Sequence, residues 1–244
     1  MNTTIDGHSE KKSSLIWLFL MALFTIALNY VPYGNYVLYP FTILCTWFHE
    51  MGHGLTAILF GGTFHQLEIF SDGSGVAKHS KDVLFGPLGE AAVAAGGLLG
   101  PAVAGSLLII LSRSPRVATA SLWILGLFMA FSVIVWVRNI FGFVFIPLWA
   151  VLILSVALKG GHNTSQFLVR LLGVQASIAV FTQFDYLFVD NAVVDGTQYA
   201  SDTGAIANAL LLPYWFWGTS IALVSVMMLL YSLYIAHRSP KTAA

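Results

Sequence analysis

The sequence predicts an all-α integral membrane protein that crosses the bilayer about six to seven times and carries a small β-hairpin after its second span. Of its 244 residues, 57% are hydrophobic and only 9% are charged, whereas soluble domains carry about 25% charged residues. Apolar runs of about 20 residues, long enough for a helix to span a membrane, recur along the chain. One polar stretch between two such runs contains an Asp-Gly pair, which is a hairpin signal.

Seven apolar runs are candidate membrane spans, with approximate boundaries. They cover residues 14–32, 37–60, 84–112, 117–137, 139–158, 165–189 and 204–236. This pattern predicts a multi-pass protein in three parts. A polar N-terminal tail of residues 1–13 precedes a single membrane-embedded domain of residues 14–237, and a C-terminal tail of residues 238–244 follows.

The segment after the second span differs from the other connections. Residues 61–83 alternate polar and apolar side chains around Asp72-Gly73, which predicts two short antiparallel strands. The third span is rich in small residues, including Gly96, Gly97 and Gly100. Small residues let membrane helices approach closely, so we expect this span to pack tightly against a neighbour.

The charge and cysteine content narrow the possible partners. Formal net charge is zero, which gives no electrostatic reason for nucleic-acid binding. The expected partners are membrane lipid and a membrane-protein or peptide substrate. Cys45 is the single cysteine, so an intramolecular disulfide is excluded, and its apolar surroundings predict a small buried side chain.

A potential metal-binding motif lies inside the second span, as His49-Glu50-Met51-Gly52-His53. Helical spacing places His49 and His53 one turn apart on the same face, so both imidazoles can reach one metal ion. Glu50 adjoins the first ligand and can accept a proton from an attacking water. This HExxH spacing is the zinc-peptidase signature, with Glu50 as general base.

A third zinc ligand is expected, because catalytic zinc sites use three protein ligands and keep one open position. Asp185 is the first candidate. Spans two and six run in the same direction, and Asp185 lies within about 5 Å of the depth of His53 at roughly 1.5 Å per residue. Its apolar neighbours also make an unpaired carboxylate costly. Asp202 is the rival ligand, although it can alternatively cap the last span. The remaining candidates are Glu90, His65 and His162.

Several features occur in an order that resembles a known family. The motif at residues 49–54, followed by Gly61-Gly62, is similar to the zinc helix of the site-2 protease family of intramembrane metalloproteases, in particular its peptidase-like bacterial and plant branch. The similarity extends over roughly residues 40–220. Its later features are Gly73-Ser74-Gly75-Val76 at the hairpin, the glycine-rich third span, Ser201-Asp202, and a Trp-rich helix that follows.

The resemblance implies a membrane-embedded zinc peptidase that cuts helical substrates within or near the bilayer. It implies zinc ligation by His49 and His53 and catalysis by Glu50. The family takes its third ligand from a Leu-Asp-Gly-type motif, to which Phe184-Asp185-Tyr186 is the nearest match here. We interpret the chain as a zinc metalloprotease. The alternative is a catalytically inactive metal-binding scaffold or regulator; a transporter is disfavoured because paired repeats are not visible.

Overall fold

The computed structural model describes residues 16, 18–80, 82–182, 184–194 and 196–237, without the side chains of residues 182, 184, 185, 194 and 237. Both predicted tails, residues 1–13 and 238–244, lie outside the described residues. Within the described residues, the predicted all-α membrane class is confirmed, because long apolar helices dominate and strands occur only in two small hairpins.

Eight helices follow one another along the described chain. They are α1 Leu18–Leu28, α2 Gly34–Leu59, α3 Pro87–Leu111, α4 Pro115–Val135, α5 Ile140–Lys159, α6 Gly161–Thr182, α7 Asp202–Leu210 and α8 Tyr214–His237. Among the described residues, five helices are long and apolar enough to cross a membrane: α3, α4, α5, α6 and α8. The motif helix α2 has 26 residues, but its two histidines and its glutamate lower its mean hydropathy.

The predicted hairpin after α2 is present. Strand β1, Phe64–Ile69, pairs antiparallel with β2, Gly75–His79. Gly73 takes a φ of 93° in the turn, a left-handed conformation that suits glycine. The Ser74 N–H donates to the Asp72 Oδ1 over 2.9 Å and closes the turn.

Strand β1 makes backbone hydrogen bonds along both of its edges. This pattern shows which N–H and carbonyl groups of β2 point toward β1 and which point away from it. On its far edge, the Leu67 N–H donates to the Trp136 carbonyl over 2.7 Å, and the Leu67 carbonyl accepts from the Arg138 N–H over 3.0 Å. Residues opposite one another in an antiparallel pair alternate between bonded and non-bonded pairs. Leu67 is therefore in a non-bonded pair with Ala77, and the Ala77 N–H and carbonyl point away from β1.

A second hairpin that the sequence analysis did not predict precedes α7. Strand β3, Asn191–Val194, pairs antiparallel with β4, Thr197–Ala200. Gly196 takes a φ of 74° in the turn between them. The Asp195-Gly196 pair is the same turn signal that identified the first hairpin, so the sequence contained this information.

The predicted seventh span, residues 204–236, is wrong at its start. The structure divides this segment into the nine-residue α7 and the 24-residue α8. Leu211 adopts a left-handed φ of 68°, and Pro213 has no N–H to continue a helical ladder and disfavours helical geometry at the residue before it. The membrane-crossing helix consequently begins at Tyr214.

Glycines bring α2 and α3 into backbone contact. A Cβ at Gly52 would lie 2.2 Å from the Gly96 carbonyl oxygen, and one at Gly100 would lie 2.5 Å from the Phe48 carbonyl oxygen. Any larger side chain at these positions would force the two helices apart. The close packing predicted for the glycine-rich span is confirmed, and α2 is the helix against which it packs.

Candidate metal centre

The two motif histidines lie on one face of α2, as predicted. The Nε2 atoms of His49 and His53 are 3.0 Å apart, and their ring centroids are separated by 4.7 Å. The His53 side chain is largely buried, while that of His49 is slightly more open to the cavity in front of it. Both rings therefore present a nitrogen to the same small volume.

Asp202, at the start of α7, completes a group of three potential ligands. Its Oδ2 lies 3.0 Å from the His49 Nε2, and its Oδ1 lies 3.3 Å from the His53 Nε2. One ligand atom from each residue falls within 4.8 Å of the others. In the described part of the chain, this is the one such group of at least three His, Cys, Asp or Glu residues.

Ser201 holds Asp202 in this position. The Ser201 hydroxyl accepts the Gly204 N–H over 3.0 Å and donates to the Val189 carbonyl. The Ser201 N–H donates to the Asp190 carbonyl over 2.9 Å. Ser201 is thus the N-cap of α7. The alternative role of Asp202 as helix cap is taken by its neighbour, and its carboxylate faces the histidines.

The protonation pattern of His53 fits a metal ligand. Its Nδ1 lies 2.9 Å from the Val93 carbonyl oxygen, which can only accept, so Nδ1 must carry the proton. A neutral His53 then directs a lone pair from Nε2 toward His49 and Asp202. A backbone carbonyl behind a ligating histidine is a common way of fixing tautomer and ring orientation. Two imidazole nitrogens and a carboxylate are a donor set that suits Zn²⁺.

Gly97 of α3 provides the space for the His53 ring. A Cβ at this position would lie 2.1 Å from the His53 Nε2 and 2.2 Å from its Cε1. The glycine-rich α3 therefore has two local functions. It brings its backbone against α2, and it leaves room for an imidazole between the helices.

Glu50 lies beside the three potential ligands but is not one of them. Its side chain is buried, and a Cβ at Gly75 would lie 2.8 Å from its Oε1. The backbone N–H of Ala77 points away from β1 and is directed toward the Glu50 carboxylate. Strand β2 therefore packs against Glu50 and helps to hold it.

A cavity of about 600 Å³ opens in front of this arrangement. Both histidines, Glu50 and Asp202 line it. Its walls come from α2, β2, the first turns of α3, the segment after α6, the end of β4, and α7. Further polar residues on these walls are His79, Ser80, Glu90, Tyr186, Tyr199 and Asn208.

The other predicted ligands have different positions. The Asp185 backbone belongs to a short 3₁₀ helix, Phe184–Phe188, but its side chain lies outside the described residues, so its role as third ligand stays a prediction. Glu90 is exposed on the cavity wall. His65 and His162 are bonded elsewhere, to Thr63 and Thr119.

Zinc content distinguishes the two aspartates. We expect about one zinc ion per chain for the wild-type protein purified in detergent, because the described residues form one group of three potential ligands. Asp202→Asn should lose most of this zinc, since an amide oxygen is a poorer zinc ligand than a carboxylate. Asp185→Asn should retain it. Elemental analysis of both variants gives the answer directly.

His79→Asn is a matched control, because His79 lines the same cavity but lies outside the group of three. It should keep the wild-type zinc content. The opposite result, in which zinc is lost in Asp185→Asn and kept in Asp202→Asn, would identify Asp185 as the third ligand.

The chain matches a known protein family. The sequence model of the Peptidase M50B-like family matches residues 16–232, which is most of the chain. No curated protein matches the chain, and no solved structure matches it. The matched region includes α1 to α7, most of α8, both hairpins and all three potential metal ligands. The chain therefore belongs to the Peptidase M50B-like family, which is the site-2 protease family of integral membrane proteins.

Proposed function

We propose that this protein is a membrane-embedded zinc metalloprotease that hydrolyses peptide bonds of membrane-associated substrates within or near the bilayer. One observation carries the proposal. Glu50 and the His49, His53 and Asp202 group line the same cavity. A general base beside a metal site, with space in front of both, is the arrangement that metal-assisted hydrolysis needs.

Zinc is the metal that this donor set favours. His49, His53 and Asp202 would hold it, leaving an open position toward the cavity. When bound, zinc lowers the pKa of water and polarises a carbonyl group.

Glu50 is the proposed general base. Its carboxylate accepts a proton from the attacking water and later delivers that proton to the leaving amine. The Ala77 N–H faces the carboxylate, and packing against Gly75 restricts its movement. Most of the Glu50 side chain is buried, and it lines the cavity in which the attacking water would lie.

A substrate must present an extended backbone to this site, because a helix hides its carbonyl groups in hydrogen bonds. Strand β2 is suited to receive such a segment. It lines the cavity through Gly75, Val76 and Ala77, and in the described part of the chain no strand pairs with its edge away from β1. Ile69 lies two residues after Leu67, and its backbone groups likewise point away from β2, where they bond to the Asn139 side chain. Ile69 and Gly75 are therefore also a non-bonded pair, and the Gly75 N–H and carbonyl point away from β1.

We therefore propose that the substrate adds as a strand to β2, beside Glu50. Main-chain hydrogen bonds of this kind bind many sequences, while alternate side chains give selectivity. The cavity volume of about 600 Å³ lies within the usual range for ligand sites, about 300–1,000 Å³.

Replacement of the general base should abolish turnover while leaving the metal in place. We expect Glu50→Gln to lower kcat about 10²- to 10⁴-fold, the range that general-base catalysis supplies, with unchanged zinc content. The substrate is a library of synthetic apolar segments with polar ends, incubated with the detergent-purified protein. Mass spectrometry detects the cleavage products.

Glu90→Gln is the matched control, because Glu90 is a carboxylate on the same cavity wall but outside the metal group. It should cleave at close to the wild-type rate. Zinc binding without cleavage of any peptide by the wild-type protein would favour the scaffold alternative over the peptidase.

Strand addition makes a prediction about the substrate backbone. A peptide found to be cleaved is resynthesised with single N-methyl groups at successive positions flanking the scissile bond. Because alternate residues of a strand direct their N–H groups toward β2, cleavage should fall with a period of two residues. Equal losses at every position, or none, would contradict pairing with β2.

A further inference from the structure

Peptide hydrolysis places negative charge on the former carbonyl oxygen of the substrate. Hydrogen-bond donors aimed at that oxygen are among the largest contributions to catalysis. Glu50 and Asp202 are carboxylates and, when ionised, only accept hydrogen bonds. The proposed reaction thus leaves open which side chain of this site donates to the oxyanion.

Tyr186 is the hydroxyl donor in contact with the metal group. Its O–H donates to the Asp202 Oδ2 over 3.3 Å, and the same oxygen lies 3.0 Å from the His49 Nε2. The Tyr186 ring meets the His49 ring edge-on, with centroids 6.1 Å apart and planes at 77°. Tyr186 also lines the cavity shared with Glu50. Its hydroxyl is therefore close to where a substrate carbonyl would be attacked.

The backbone that follows Tyr186 packs against α8. The next residue, Leu187, is buried. A Cβ at Gly218 of α8 would lie 2.2 Å from the Leu187 carbonyl oxygen, so the α8 backbone packs directly against the short 3₁₀ helix. A donor on such a support keeps its position during the reaction and loses little entropy on engaging the substrate.

We propose that Tyr186 is a catalytic residue that donates a hydrogen bond to the oxyanion of the tetrahedral intermediate. This proposal rests on the proposed peptidase function. In the resting site the hydroxyl donates to Asp202, and in the intermediate it donates to the new oxyanion. The proton stays on the phenol, so only the acceptor changes. At 3.3 Å the resting bond exceeds the usual O–H···O range of about 2.5–3.0 Å, and its loss costs little.

Tyr199 is an internal control for this role. It is the second tyrosine on the cavity wall, at the end of β4, and is more exposed than Tyr186. In the described part of the chain, no hydrogen bond joins it to His49, His53 or Asp202. A general effect of removing a phenolic hydroxyl from this cavity would appear in both tyrosine variants.

The test compares Tyr186→Phe and Tyr199→Phe with the wild-type protein, each loaded with zinc. We expect Tyr186→Phe to lower kcat about 10²- to 10³-fold, as loss of one oxyanion donor does, with KM and zinc affinity within about twofold of wild type. Tyr199→Phe should leave kcat and zinc affinity within about twofold of wild type. A second readout is the binding of a synthetic phosphinic peptide, a tetrahedral anion that mimics the intermediate. Its affinity should fall in Tyr186→Phe but not in Tyr199→Phe.

Two results would overturn the proposal. If Tyr186→Phe binds zinc about 10- to 100-fold more weakly and regains full activity at saturating zinc, Tyr186 only positions Asp202. If kcat and phosphinic-peptide affinity are both unchanged, the hydroxyl has no role in the intermediate. Failure of the wild-type protein to cleave any peptide would count against the proposed function, while phosphinic-peptide binding would separately show whether the Tyr186 hydroxyl contacts a tetrahedral anion in this cavity.

Discussion

Two imidazoles and a carboxylate inside a membrane protein need partners that offset the free-energy cost of removing them from water. Their mutual contact is the constraint on which this structure depends. Each ionisable group costs at least about 2.5 kcal/mol at the centre of a membrane helix on insertion scales. His49, His53 and Asp202 meet at distances of 3.0–3.3 Å. A divalent cation would satisfy all three at once. The same cost applies to Glu50, which is buried beside them and lines the same cavity.

This contact requires an unusually close approach of chain segments. Gly52, Gly96 and Gly100 bring the backbones of α2 and α3 together, and Gly97 makes room for an imidazole between them. On the opposite side, the second hairpin returns the chain so that Ser201 can cap α7 and direct Asp202 toward α2. The three potential metal ligands thus come from distant parts of the chain, because α2 and α7 are separated by about 140 residues of sequence.

The sequence predicted the parts of the site that depend on local periodicity. The four-residue spacing of His49 and His53 is sufficient to place them on one face, and the Asp-Gly turn is sufficient for the first hairpin. The third ligand depends on tertiary geometry. Asp185 reaches the depth of His53 by sequence spacing only if the sixth span is one continuous helix, but Phe184–Phe188 forms a 3₁₀ helix and a hairpin follows it. Tyr186 carried no sequence signal, because a tyrosine among apolar residues resembles ordinary membrane packing.

The central claim is that zinc is held by two histidines and an aspartate within the membrane domain. X-ray absorption at the zinc edge of the purified, zinc-loaded protein tests this claim most directly. The account predicts nitrogen and oxygen neighbours at about 2.0–2.2 Å, with outer-shell scattering from two imidazole rings. Two results would contradict it. One is a sulfur neighbour at about 2.3 Å, which would point to Cys45, the single cysteine of the chain; the other is a spectrum without imidazole scattering.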